Sequence, residues 1–133
     1  MSCMKSEESR YFGDWFRIGA KEIERAKRLL EDGDLDAAGF NIQQAVEKYI
    51  KGYLLSKGWE LRRIHNLDIL LNDAMDYEPS LDEYRQDCIK ITHYYVEDRY
   101  PFTVASELTK EEIKESLQVA KKLIKKIVSL TEE

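Results

Sequence analysis

Apolar side chains recur every three or four residues in four stretches of this chain, and this spacing constrains its fold more than any other feature. Such spacing places the apolar side chains on one face of an α-helix, with the charged residues between them facing solvent. The first stretch, from about residue 10 to 31, contains Phe12, Trp15, Gly19, Ile23, Ala26 and Leu30. With 6 Gly and 2 Pro in 133 residues, the chain is too poor in turn formers for a many-stranded β fold.

Residues with capping side chains mark where the next two helices begin. Asp34 or Asp36 is predicted to cap a second helix, which carries two adjoining apolar stripes and ends near Gly58, a residue able to turn left-handed. An apolar surface that wide is typical of a central helix. After a basic connector, Asn66 is predicted to cap a short third helix that ends at about residue 75 or 77.

Two further capping signals predict the last two helices. Ser80 and Glu83 have the spacing of a capping box, and the fourth helix is expected to run to about Asp98, since a proline follows three residues later. Thr109 with Glu112 forms a second box that opens the final helix. The prediction is an all-α, five-helix up-and-down bundle with four long helices and one short, forming a single domain over residues 8–133 with residues 1–7 disordered.

Charge and composition exclude several classes of protein. The 21 Lys and Arg against 26 Asp and Glu give a net charge of −5, which argues against a surface built as a whole to bind nucleic acid. The chain has no Gly-rich phosphate loop and no apolar run near the ~18 residues of a membrane span. The two cysteines are far apart in the sequence, which argues against disulfides. His93 and Glu97 have no second histidine near them, which argues against a metal site. A cytoplasmic protein without membrane contact, metal or cofactor is expected.

Three sequence blocks, taken in order, resemble a known family. Residues 37–58 contain QQAVEK before an apolar run ending in Gly, and His65-Asn66-Leu67 precedes Leu70-Leu71. The third block is Tyr95 with Asp98-Arg99-Tyr100-Pro101. Together they resemble the HEPN family, the higher eukaryotes and prokaryotes nucleotide-binding domain.

The resemblance implies a helical bundle of the HEPN type that pairs as a homodimer and works beside a minimal nucleotidyltransferase encoded nearby, in a toxin–antitoxin-like arrangement. Many members cleave RNA with an Arg followed four to six residues later by a His. In this sequence no His follows Arg99. Since imidazole is the usual group that exchanges protons near neutral pH, we assign no catalytic residue and lean against an enzyme.

Two groups of residues are candidates for binding a ligand or partner. Gln43, Gln44 and Lys48 lie on the second helix, where they form either a polar strip that holds a phosphate or partner, or a solvated or capping face. His65 begins the third helix after a basic connector, Arg62-Arg63, and is either an acid–base group or an interhelical hydrogen-bonding residue.

The third candidate group surrounds Arg99. Its guanidinium is suited to bind phosphate, with Tyr95 and Tyr100 as rings for base stacking, or to form a structural ion pair with Asp98 or another carboxylate. The leading hypothesis is a non-catalytic module that binds a nucleotide such as ATP, an RNA or the nucleotidyltransferase. The alternatives are a divergent ribonuclease using Arg99 with His65 or His93, and a purely structural dimerisation module. A homodimer is also expected because the second helix is apolar on more than one side.

Overall fold

The computed structural model describes residues 10–95 and 108–132 of the chain. These residues form five α-helices, one 3-10 helix and no strand. The all-α prediction is therefore confirmed, while the predicted disordered segment 1–7 lies outside the described residues. The helices are α1 (Phe12–Glu31), α2 (Leu35–Ser56), α3 (Leu67–Met75), the 3-10 helix Pro79–Tyr84, α4 (Arg85–Thr92) and α5 (Lys110–Thr131).

Most of the predicted caps are present. The side-chain oxygens of Asp34, Asn66 and Thr109 each accept a hydrogen bond from a backbone N–H two or three residues further on. Gly58 has a φ of +88°, the left-handed geometry expected after α2. These are local interactions, and this explains why the sequence alone located these helix ends.

The predicted fourth helix differs from the structure. Ser80 does not form a capping box: its hydroxyl donates to the Glu78 carboxylate at 2.5 Å, and residues 79–84 form the 3-10 helix. The α-helix ends at Thr92 instead of near Asp98. Two tertiary contacts favour this end, because Thr92 accepts the Leu67 backbone N–H at 2.8 Å and the turn that follows buries Tyr94. The length predicted for the fourth helix was therefore wrong.

Two glycines allow α1 and α2 to pack closely. A Cβ atom at Gly52 would lie 2.6 Å from the ring of Phe16, and one at Gly19 would lie 2.6 Å from the ring of Tyr49. Gly19 comes after Phe16 in α1, whereas its partner Tyr49 comes before Gly52 in α2. The two helices are therefore antiparallel. This pairing brings Trp15 of α1 beside the polar face of α2 described below.

Helix α2 is the central element of the bundle, packed against α1, α3, α4 and α5. Both of its apolar stripes are covered within the chain, since residues such as Ile42, Val46 and Ile50 are fully buried. Among the described residues, the large apolar side chains that remain exposed are Tyr11, Ile69 and Tyr77. The apolar width of α2 therefore reflects its central position, and the homodimer stays a prediction on the resemblance alone.

No helix in the described part of the chain combines the length and apolar character that crossing a bilayer requires.

Candidate functional site

A buried polar ladder runs along one face of α2. Gln43, Glu47 and Lys51 follow each other at four-residue spacing and are 0%, 2% and 4% exposed. Glu47 accepts a hydrogen bond from Lys51 Nζ at 2.8 Å through Oε2 and one from Gln43 Nε2 at 3.1 Å through Oε1. Three polar side chains are thus taken out of water, and their mutual contacts compensate for the lost hydration.

The electrostatics of the ladder keep Glu47 ionised. Burial by itself raises the pKa of this carboxyl group, but the charge and hydrogen bond of Lys51 oppose it, together with the charge of Lys48 and the amide of Gln43. The net result is a pKa below the ordinary value of 4.5. At neutral pH, Glu47 is therefore a buried carboxylate able only to accept hydrogen bonds.

His65 completes the ladder from the connector that precedes α3. Its Nδ1 lies 3.1 Å and 3.2 Å from the two carboxylate oxygens of Glu47, and its backbone carbonyl accepts from Gln43 Nε2 at 3.0 Å. Because a carboxylate only accepts hydrogen bonds, Nδ1 is the ring nitrogen that carries the proton in this contact. The ring of Tyr95 stacks on the imidazole with centroids 4.7 Å apart and an interplanar angle of 17°.

A second hydrogen-bond chain links the ladder to the surface. Gln44 Nε2 donates to Gln43 Oε1 at 2.7 Å, and Lys48 Nζ donates to Gln44 Oε1 at 3.0 Å. Gln43 is fully buried, so its amide ties α2 to the chain entering α3 rather than facing solvent. Lys48 is half-buried at the outer end of this chain of bonds.

A cavity of about 450 Å³, within the usual size range of a small-molecule site, is lined by Gln44, Glu47, Lys48, Lys51 and His65. Its walls also include the rings of Trp15 and Tyr95, beside the imidazole of His65. The cationic residues of the wall come from the segment before α1, from α2 and from the connector, and are Arg10, Lys48, Lys51, Arg62 and Arg63. Five cations against one carboxylate make this a positive pocket in a chain of net charge −5.

The cations of the pocket differ in their partners. Lys51 is paired with Glu47 and lies 5.7 Å from the ring centroid of Trp15, and Arg62 donates to Asp73 at 2.7 Å. Lys48 bonds to a neutral amide, and Arg10 and Arg63 form no ion pair within residues 10–95 and 108–132. Within the described part of the chain, three positive charges of the pocket thus have no carboxylate bonded to them.

Five of the eight residues predicted as a binding site lie in this one region. Gln44, Lys48, His65 and Tyr95 line the pocket, and Gln43 is hydrogen-bonded to Gln44. The other three, Asp98, Arg99 and Tyr100, lie outside the described residues, so the binding and structural roles considered for Arg99 stay predictions. His93 is exposed at the end of α4 and is not part of the pocket wall.

The sequence reasoning missed several members of the site. Glu47 was not singled out, although its spacing of four residues from both Gln43 and Lys51 was a signal for a ladder on one helical face. Trp15 was assigned only to a helix stripe, and Arg10 gave no signal because its approach to α2 depends on the packing of α1.

Comparison with known proteins agrees with this fold. The family model described as HEPN domain matches residues 12–130. The chain is similar to the crystal structure of TT1696 from Thermus thermophilus, with a TM-score of 0.81 and 25% identity over 91% of this chain and 98% of that one. ST0689, described as an archaeal HEPN homologue, has the same fold, with a TM-score of 0.75 and 24% identity over 90% of this chain and 97% of that one. No curated protein matches the chain.

Proposed function

This chain belongs to the HEPN domain family, and on that basis we propose that it is a non-catalytic nucleotide-binding module whose cationic pocket holds the phosphates. The observation that carries the proposal is the concentration of five cations around one buried carboxylate in an acidic protein. Charge of this kind attracts a small anion and is costly to maintain without one, because like charges repel at short range.

The residues of the pocket have separable roles in this proposal. Lys48 and Arg63 bind phosphate oxygens, Lys48 as a point charge and Arg63 through its planar, two-pronged donor group. Glu47 and Lys51 neutralise each other and hold His65 in place. The stacked pair of His65 and Tyr95 forms a ring surface at the pocket wall. The homodimer and the nucleotidyltransferase partner implied by the resemblance stay proposals beside this one.

Calorimetric titration with ATP tests the proposal. Arg63→Ala and Lys48→Ala are each expected to weaken ATP binding by about 1.5–3 kcal/mol, the range for a hydrogen bond to a charged group, while thermal unfolding stays nearly unchanged. The matched control is Lys121→Ala, which removes an exposed cation of α5 that does not line the pocket. Equal losses in all three variants would indicate non-specific attraction, and no ATP binding by the wild type would contradict the proposal.

A divergent ribonuclease is the second candidate function, and one observation favours it. The contact between His65 Nδ1 and the buried Glu47 carboxylate is the arrangement that orients a histidine for proton transfer. In the described wall, however, His65 is the only histidine, and RNA cleavage needs both a base and an acid.

We therefore expect no cleavage when a labelled RNA is incubated with the purified wild type under conditions free of contaminating nuclease. His65→Ala, purified in parallel, is the control for contamination. Cleavage by the wild type that disappears in His65→Ala would replace the non-catalytic assignment with the enzymatic one.

A further inference from the structure

We propose that the pocket recognises the linear phosphate chain of its ligand and not the nucleobase, so that it selects by the number of phosphates. This inference rests on the proposed function and names the ligand chemistry of the same site. Its basis is the balance of hydrogen-bond donors and acceptors that the lining presents.

Both carboxylate oxygens of the pocket are already engaged inside the protein. Glu47 accepts from Gln43 through Oε1 and from Lys51 through Oε2, and both oxygens face His65 Nδ1. The side-chain oxygen of Gln44 accepts from Lys48. Glu47 and Gln44 are thus the lining residues whose side chains carry carboxylate or amide oxygens in the described wall.

Donors, in contrast, are plentiful. Lys48 Nζ uses one of its three N–H groups on Gln44. The guanidinium groups of Arg10 and Arg63 have five N–H groups each, and neither forms an ion pair within residues 10–95 and 108–132. A phosphate oxygen only accepts, so it matches a wall rich in donors. The base edges of adenine, guanine and cytosine also carry N–H groups that need acceptors, and such groups lose their hydrogen bonds if buried against this wall.

The charge of the pocket favours a chain of several phosphates. The charges of Arg10, Lys48 and Arg63 are not balanced by a carboxylate partner in the described residues, and three such cations suit a triphosphate better than a monophosphate.

The charge of the elements that follow the connector disfavours a long RNA strand that would cross them. Helix α3, the 3-10 helix and α4 together carry more carboxylates than cations. A strand leaving the pocket across these helices would meet repulsion.

A competition series with the wild-type protein tests the inference, using ATP, GTP, CTP, inorganic tripolyphosphate, AMP and adenosine without divalent cations. We expect the three nucleoside triphosphates and tripolyphosphate to bind within about three-fold of one another, and AMP to bind at least about ten-fold more weakly than ATP. Adenosine is expected not to compete. Arg63→Ala should weaken ATP and tripolyphosphate by the same factor, whereas Lys121→Ala should change neither.

The outcomes separate this inference from the function on which it rests. If ATP binds but adenosine or AMP competes equally well, the nucleotide-binding function stands and phosphate-chain recognition is wrong. A preference of more than about ten-fold for one triphosphate over the others would also overturn it, since that would require base contacts. If neither ATP nor tripolyphosphate binds, both proposals are contradicted. Binding of a short oligouridine more tightly than tripolyphosphate would assign the pocket to RNA instead.

Discussion

Replacing Lys51 by methionine is expected to lower the free energy of unfolding by about 3–5 kcal/mol near neutral pH, the usual cost of removing one partner of a buried ion pair. Methionine keeps most of the side-chain volume, but it leaves the Glu47 carboxylate, 2% exposed, without its closest cation. The hydrogen bonds from Gln43 and His65 remain, and they do not replace the lost charge. Urea unfolding followed by circular dichroism measures the loss.

The loss is expected to depend on pH in a defined direction. In the wild type the pKa of Glu47 lies below 4.5, so its contribution to stability is present above that value and is lost as the pH falls through the lowered pKa. Without Lys51, burial dominates and raises the pKa of Glu47, so the carboxylate costs stability at high pH and the variant recovers as the carboxyl takes up a proton. The difference between the two proteins should therefore shrink from about pH 7 to about pH 4.

Two further variants make this test specific. Lys48→Met removes a half-buried cation that is bonded to Gln44, and it is expected to cost less than about 1.5 kcal/mol. The double variant Glu47→Gln with Lys51→Met removes both buried charges and should regain most of the stability lost by Lys51→Met alone. A cost for Lys51→Met that is small, or that is the same at both pH values, would show that Lys51 does not stabilise the buried Glu47 carboxylate through its charge.

Truncation of Trp15 to alanine is expected to lower the free energy of unfolding by about 3–5 kcal/mol as well, for a different reason. The indole is 1% exposed, so its removal takes a large buried ring out of the wall of the pocket. Its ring also lies against Lys51 Nζ, so the buried ion pair loses a neighbour that excludes water. Chemical unfolding of the variant beside the wild type measures the effect.

Trp59→Ala is the matched control for this second prediction. Trp59 is half-buried in the connector, and its Nε1 donates to Asp73 at 3.1 Å. Its truncation is expected to lower the free energy of unfolding by about 1–2 kcal/mol, because one hydrogen bond and the packing of a partly exposed ring are lost. A similar loss of unfolding free energy in the two tryptophan variants would contradict the burial of Trp15.

Part of the pocket was predictable because it consists of neighbours on one helix and one following segment. Gln44 and Lys48 were identified from their four-residue spacing, and His65 from its position after a basic connector. The sequence did not indicate that Gln43 and Glu47 are buried, because a polar residue next to an apolar stripe looks solvated unless the neighbouring helix is known. Nor did it indicate that the Tyr95 ring stacks on His65, a contact between residues 30 positions apart in the chain.

Local sequence was sufficient for the helical class, the ends of α2 and α3 and the beginning of α5, since helix periodicity and capping are interactions between residues within a few positions of each other. The end of α4 depends on tertiary packing, because the contact of Thr92 with Leu67 and the burial of Tyr94 outweigh the local tendency to continue the helix. The pocket depends on packing in the same way. Its charge comes from three separate segments, and only the antiparallel packing of α1 on α2 and the return of the connector bring those cations around Glu47.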